Sequence, residues 1–327
     1  MMRRRQFIML LGGAAAAWPL AARAQQPAMP VIGFLSAQSP GSNSEHIRAF
    51  RRGLQEAGYV DGENIAVEYR WADAQVDRLP TLATDLVRRR VAVIATYGNA
   101  TALALKAASP TTPIVFAVSE DPVRLGLVAS LPRPGGNATG INFLSAEVTA
   151  KRLELLRVFI PGAAQIAVLV DPTAPVTETT LREVEAAAAP MRLRIRVLNA
   201  RTSAEIHEAF ATFLRERPDA LFVAGNFLFS SRRVQLVHLA TRYGVPATYS
   251  DREYAEVGGL MSYGTNLGES LRQVGIYTGQ ILKGKKPADL PVMQLTKFEL
   301  VINAEAARTL GVIVPPSLLA VADEVIE

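Results

Sequence analysis

Short apolar runs rich in Val and Ile alternate along this chain with longer stretches of helical period. In the first half the runs are 31–35 (VIGFL), 65–69 (IAVEY), 91–95 (VAVIA) and 114–118 (IVFAV). Helical stretches fall between them near 44–57, 78–89 and 101–108. In the first of these, Ile47, Phe50, Leu54 and Ala57 share one face, Ser44 is placed to cap the start, and Gly58 suits the end. Nearly continuous hydrophobic strands joined by helices predict a parallel sheet covered on both sides.

The second half repeats this order. Its strands are expected at 166–170, 193–198, 220–224 and 247–249, with helices near 177–188, 203–215 and 231–243. Strand starts at 31, 65 and 91 correspond to 166, 193 and 220, offsets of 135, 128 and 129 residues. So constant an offset predicts two lobes of one architecture instead of one large sheet. The fold class expected is therefore α/β, with two similar doubly wound parallel-sheet lobes. Between them, the cluster 131–136 (LPRPGG) is the strongest turn signal, and 139–143 is expected to cross between lobes. The tail adds a strand at 260–263, a helix at 267–282, a strand at 298–302 and a helix at 304–310. Extra pieces after a complete second lobe predict a return to the first lobe and another crossing. The expected division is 25–140 with 265–290 for the first lobe, and 141–264 with 291–327 for the second. Several crossings make a hinge, and a hinge between two lobes makes a cleft.

Composition narrows the possibilities. A length of 327 residues fits two domains, and 49% hydrophobic with 20% charged residues excludes a disordered chain. With no cysteine there are no disulfides, thiolate metal sites, cysteine nucleophile or lipidated cysteine anchor. The three histidines, His46, His207 and His238, lie far apart and read as helix-face residues, leaving little for a zinc or triad enzyme. The net charge of +5 is concentrated at the start, where residues 1–24 hold Arg3, Arg4, Arg5 and Arg23 and no acid. The remaining 303 residues carry only +1, so no electrostatic footprint for nucleic acid is expected.

Residues 1–24 read as an export signal that is cleaved after Ala24. Three arginines precede the apolar stretch 7–17, which is shorter than the roughly 20 residues a bilayer span needs. Pro19 then breaks the helix, and Ala22-Arg23-Ala24 gives the small-x-small cleavage pattern. Arg4-Arg5-Gln6-Phe7-Ile8 is similar to a twin-arginine motif, with Met9 where a lysine is usual. The expected location is the periplasm.

The chemistry-bearing motifs of common enzymes are missing. The sequence holds no G-x-S-x-G elbow, P-loop or H-E-x-x-H, and the first strand runs into Ser-Ala-Gln-Ser-Pro instead of a G-x-G-x-x-G turn. Glu120 and Asp121 are adjacent and point apart, so they do not form an acid/base dyad. Neither catalysis, a cofactor nor a metal is expected.

In open α/β sheets, ligands sit outside the carboxyl ends of strands, where helix N-termini and polar loops converge. That rule selects Ser36, Gln38 and Ser39 after the first strand, and Tyr97, Asn99 and Thr101 after the third. The helix start at Gly98–Thr101 suits a carboxylate, or is an ordinary capped terminus. Ser119 and Asp121 follow the fourth strand, Asp121 reading more as a cap than as a contact. In the second half the rule selects Asn226 and Phe227, then Asp251 as partner for an amine, and Tyr263. Tyr97, Phe227 and Tyr263 together would line an aromatic slot.

The order of several segments resembles a known family. These are the export signal, VIGFLSAQSP, FRRGLQEAGYVDGENIAVEYRWA, IVFAVSEDPVRLGLVASLPRPGGNATGINF and the ending FELVINAEAARTLGVIVPPSLLAVADEVI. They are similar to exported substrate-binding proteins of ABC transporters, in the subfamily that includes tryptophan- and tyrosine-type binding proteins. The resemblance spans the whole chain after the signal and implies a periplasmic-binding-protein type I fold. It also implies capture of a small molecule in the cleft, lobe closure, and delivery to a membrane permease and its ATPase subunits. An alternative is a periplasmic sensor that reports ligand occupancy to a receptor kinase, which would use the same closure. A repressor effector domain of the same fold would need a DNA-binding module where the export signal stands.

Overall fold

The computed structural model describes residues 29–41, 44–143, 146–174 and 176–327. The proposed export signal lies outside them. The chain builds two sheets. The first begins with β1 (Val31–Ser36), α1 (Ser44–Glu56), β2 (Ala66–Trp71), α2 (Leu79–Arg88), β3 (Val93–Tyr97), α3 (Asn99–Ala108) and β4 (Ile114–Val118). It is extended by β5 (Ala138–Phe143) and is parallel throughout, with β1 between β2 and β3. Five strands follow the order 2-1-3-4-5 of a doubly wound sheet.

The chain then enters α4 (Ala146–Phe159), followed by β6 (Gln165–Val170), α5 (Thr177–Met191), β7 (Arg194–Asn199), α6 (Ser203–Ala211) and β8 (Ala220–Val223). The short α7 (Phe227–Ser231), α8 (Arg233–Arg242), β9 (Ala247–Tyr249), α9 (Arg252–Glu256) and β10 (Met261–Thr265) complete the same winding. In this second sheet β6 lies between β7 and β8, as β1 does in the first.

From β10 the chain returns to the first sheet. There α10 (Leu267–Leu282) packs across α1, and β11 (Met293–Leu295) pairs in parallel with β5. It then goes back to the second sheet as β12 (Phe298–Asn303), antiparallel to β10, and ends with α11 (Ala304–Leu310), α12 (Pro316–Leu319) and β13 (Glu324–Ile326). Three connections therefore join the sheets, after β5, β10 and β11.

Two details differ from the sequence expectation. Residues 139–143 do not cross between lobes: they form β5 of the first sheet, held by β4 on one side and β11 on the other. Likewise 293–295, grouped by sequence with the second lobe, add an edge strand to the first sheet. Edge pairing is decided by a neighbour distant in sequence, so the local pattern leaves it unmarked.

Each sheet is buried on both faces, as the uninterrupted burial of β3, β4 and β8 shows. The contact of α10 with α1 is close because glycines meet there. A Cβ on Gly275 would overlap the carbonyl oxygen of Phe50, and one on Gly53 the carbonyl of Arg272. Phe50 and Leu54 can therefore pack directly with Leu271 and Val274. Among the described residues no helix is long and apolar enough to cross a membrane.

Candidate functional site

The carboxyl ends of the two sheets face each other across a cavity of about 200 Å³. From the first lobe it is bordered by Gln38, Tyr97–Ala100, Ser119 and Phe143. The second lobe contributes Thr149 and Arg152 from α4, Asn226, Phe227 and Ser230 around α7, and Ser250, Asp251 and Glu253 around α9. The size suits a small solute, below the roughly 300–1,000 Å³ of sites for larger ligands.

Two contacts join the lobes around this space. Phe227, at the start of α7, reaches across to the first lobe, where its ring meets Tyr97 edge-on at 5.7 Å. Gly98 makes room for it: this residue has φ +97°, and a Cβ there would lie 2.6 Å from Phe227 Cε2. Beside this pair, His46 Nε2 of α1 donates to Glu253 Oε1 of α9 at 3.0 Å. His46 also borders Tyr97, with ring centroids 5.4 Å apart. The His46–Glu253 pair lies where the cavity adjoins a charged outer groove bordered by Arg48, Arg52, Glu256 and Glu269.

Seven of the residues selected from sequence border the cavity: Gln38, Tyr97, Asn99, Ser119, Asn226, Phe227 and Asp251. Some have further duties. Asn99 Oδ1 accepts from the Ser119 amide at 3.1 Å, tying the start of α3 to the end of β4. Asn226 Oδ1 caps α7 by accepting from Phe229 N at 2.7 Å, which leaves its Nδ2 buried without a partner. Gln38 Oε1 is also buried without a partner.

Five of the selected residues do not border it. Ser36 is fully buried behind Gln38, accepts from the Gln38 amide, and hydrogen-bonds the Tyr97 phenol. Ser39 lies further out on the same loop, outside the cavity lining. Thr101 turns back into α3, donating to the carbonyls of Tyr97 and Gly98 at 2.6 and 2.8 Å. Asp121 is exposed and accepts from Val123 N at 2.8 Å, closing a turn. Tyr263 packs on Phe298 at 5.9 Å, and its successors Gly264 and Thr265 reach the cavity in its place. The aromatic lining thus consists of Tyr97, Phe227 and Phe143, without Tyr263.

Sequence reasoning missed His46, Arg152, Glu253 and Ser230. His46 is not a surface residue: it is 5% exposed, one turn before Phe50 on the buried face of α1. Arg152 had a comparable signal, a lone charge in helical register with apolar Val148, Leu155 and Phe159.

The electrostatics centre on Asp251. Its Oδ2 accepts from Ser250 Oγ at 2.9 Å and from Ser230 Oγ at 3.3 Å. Burial, followed by the charge of Glu253, pushes its carboxyl above the ordinary range, partly offset by Ser250, His46 and Arg152. Burial pushes Glu253 up as well, but the His46 hydrogen bond and charge, with Arg233 and Arg252, outweigh it and hold it low. Of this pair, Asp251 is the one that takes the proton. Burial also lowers Arg152 to about 10, and burial pushes the Tyr97 phenol up so that it stays neutral.

A pH dependence follows with a defined sign. The folded protein holds the Asp251 proton at pH values where the unfolded chain has lost it, so ligand-free stability falls as pH rises through that window. Asp251→Asn is expected to raise the melting temperature by a few degrees at neutral pH. The gain should shrink as the pH falls below the raised value and vanish only below the unfolded carboxyl's ordinary range, about 4. Thermal melts of both proteins from about pH 4 to 8 check this.

Comparisons with known proteins agree with this architecture. The family model described as "ABC transporter substrate binding protein" matches residues 31–326. A tyrosine-binding protein of Clostridioides difficile (strain R20291) is 26% identical over 264 residues, covering 80% of this chain and 75% of that protein. A solved ABC domain from Streptococcus pneumonia in complex with L-Trp is 26% identical, with a TM-score of 0.83, covering 91% of this chain and 99% of that one. A conserved domain protein from Vibrio cholerae O1 biovar El Tor gives 26% identity and a TM-score of 0.84 over the same shares. With the match running from the first strand to the last, this chain belongs to the ABC transporter substrate binding protein family.

Proposed function

We propose that the chain is the exported solute-binding component of an ABC importer, and that it captures an aromatic amino acid between its lobes for delivery to a membrane permease and its ATPase subunits. The observation that carries this reading is the cavity itself. It lies at the carboxyl ends of both sheets, is closed by Phe227 on Gly98 and by His46 on Glu253, and has Tyr97, Phe227 and Phe143 against polar groups around Asp251. A ligand that touches both lobes only when they are together shifts the open–closed balance toward closure by its differential affinity. The bound forms named for two relatives, a tyrosine-binding protein and an L-Trp complex, support an aromatic amino acid as the solute. The three connections between the sheets would serve as the hinge. Export to the periplasm, by the twin-arginine route with cleavage after Ala24, completes the proposal.

Thermal melting against amino acids, aromatic acids and small carboxylates tests it. A ligand at 100 times its Kd stabilises the folded state by about 2.7 kcal/mol, which is read as a rise of several degrees. Tryptophan or tyrosine should give such a rise. A broad panel without one would remove the aromatic amino acid reading. Mass spectrometry of what co-purifies with the natively exported protein identifies the solute directly.

A further inference from the structure

The end of the second lobe that points away from the cavity is built of arginine. It is formed by the starts of the strands and the ends of the helices before them. Arg192 follows α5, Arg194 opens β7, Arg215 and Arg217 lie between α6 and β8, and Arg242 closes α8. Tertiary contacts gather them on one surface. Arg194 is level with Gln165, the first residue of β6, and Asp219 N, two positions after Arg217, donates to Gln165 O at 2.9 Å. The Phe213 ring meets the Tyr243 ring at 6.3 Å, which brings the segment holding Leu214 and Arg215 to the end of α8.

All five arginines are exposed, and among the described residues none of their side chains has an ion pair or a hydrogen bond. Arginines elsewhere do pair: Arg70, Arg252 and Arg272 each meet at least two carboxylates. The carboxylates beside Arg215 and Arg217 are already engaged. Glu216 meets Arg196, and Asp219 accepts from the amides of Ala164 and Gln165 at 2.7 and 2.8 Å. Arg192 and Arg242 also offset the negative ends of α5 and α8, whereas Arg194 and Arg217 serve no helix end. Leu214 stands among them, 71% exposed beside buried Phe213.

We infer that this end of the second lobe docks on an anionic phospholipid bilayer, with the guanidiniums on headgroup phosphates and Leu214 entering the interface. The arginine surface runs from β7 to β9, three strand spacings or roughly 14 Å, which is too broad for a single phosphate ion. Arginine suits phosphate because its planar fork can donate two parallel hydrogen bonds. A small dissolved anion gives the bare Leu214 nothing to do, while an apolar side chain ringed by cations gains by burial at a bilayer surface. The chain after residue 24 carries only +1, so the attraction comes from this surface and not from the protein as a whole. The sequence has no cysteine to carry a lipid, so docking of this kind would keep an exported carrier beside its permease. The cavity lies at the opposite ends of the same strands and stays open to solute. The inference rests on the proposed export and is independent of which solute is bound.

Sedimentation of the exported protein with lipid vesicles tests it. Vesicles of phosphatidylglycerol and phosphatidylcholine in equal parts should carry the protein down at low salt. Phosphatidylcholine alone should not, and about 0.5 M sodium chloride should release it. Arg215→Gln combined with Arg217→Gln should weaken partitioning at least about tenfold, and adding Leu214→Gln should weaken it again. Lys283→Gln, Lys285→Gln and Lys286→Gln together remove more charge from the first lobe and should leave partitioning unchanged. All these side chains are exposed, and thermal melts confirm that each variant is folded. Equal binding to both kinds of vesicle, or an equal loss in the lysine variant, would overturn the docking surface. Displacement by inorganic phosphate at constant ionic strength would overturn it in favour of a small-anion site. Duplex DNA bound more tightly than vesicles at the same salt would overturn it in favour of a nucleic acid. The melts against amino acids are a separate measurement, so a failure of the solute reading is distinguishable from a failure of this one.

Discussion

Gly98→Val is expected to hold the lobes apart and to weaken binding of L-tryptophan by about a thousandfold, about 4 kcal/mol. Two costs combine. The residue has φ +97°, where a β-branched side chain is strained by about 1–3 kcal/mol. Its added carbons would also occupy the space of the Phe227 ring, whose Cε2 lies 2.6 Å from the Cβ position. The overlap exists only when the lobes are together, so the substitution penalises the closed form specifically. Solution scattering should give a larger radius of gyration than the unaltered protein in the presence of tryptophan, and calorimetry should give the affinity loss. Combining Gly98→Val with Phe227→Ala should restore compaction, leaving only the backbone strain and the lost aromatic wall. Unchanged affinity in the single variant would mean that closure does not bring Phe227 onto Gly98.

Asp251→Ala should weaken an amine-bearing ligand by about a hundredfold, about 2.7 kcal/mol. The carboxylate sits where burial opposes its charge, so a ligand ammonium gains the full benefit of restoring it. Removing it leaves Ser230 and Ser250 facing the cavity with neutral hydroxyls. Affinity should also fall on acidification, because an ammonium requires the deprotonated Asp251 and competes with its proton. Calorimetry at neutral and acidic pH, in buffers of different ionisation enthalpy, would register one proton released on binding at the lower pH. An Asp251→Ala protein with unaltered affinity would take this residue out of the ligand's contacts.

Much of the architecture was readable from residue order. Runs such as IAVLV and ALFV, too short for helices and set between stretches of helical period, read as strands buried on both faces, and their recurrence about 130 residues after VIGFL and VAVIA already describes two matched lobes. The pieces that escaped are those with weak local signals. The helix α4 mixes Lys151, Arg152, Glu154 and Arg157 with its apolar positions, which blurs its face. The strand β11 is three residues long and exists because β5 offers an open edge.

The site divides in the same way. The rule that loops follow the carboxyl ends of parallel strands found Gln38, Tyr97, Asn99, Ser119, Asn226, Phe227 and Asp251, because β–α connectivity alone dictates where those loops emerge. It could not say which loop residue faces inward. Thr101 and Ser36 have the right chemistry at the right loops, yet each spends its hydroxyl on neighbouring backbone or on Tyr97.

The order of residues thus determined the winding of each lobe and the loops that surround the gap, because strand burial and loop position are consequences of local pattern and chain connectivity. Only the tertiary structure brought His46 to Glu253, Phe227 onto Gly98, and Arg152 into the same cavity as Asp251. These partners lie 99 to 207 positions apart, on elements whose separation in space is set by how two lobes close, and no periodicity along the chain records that distance.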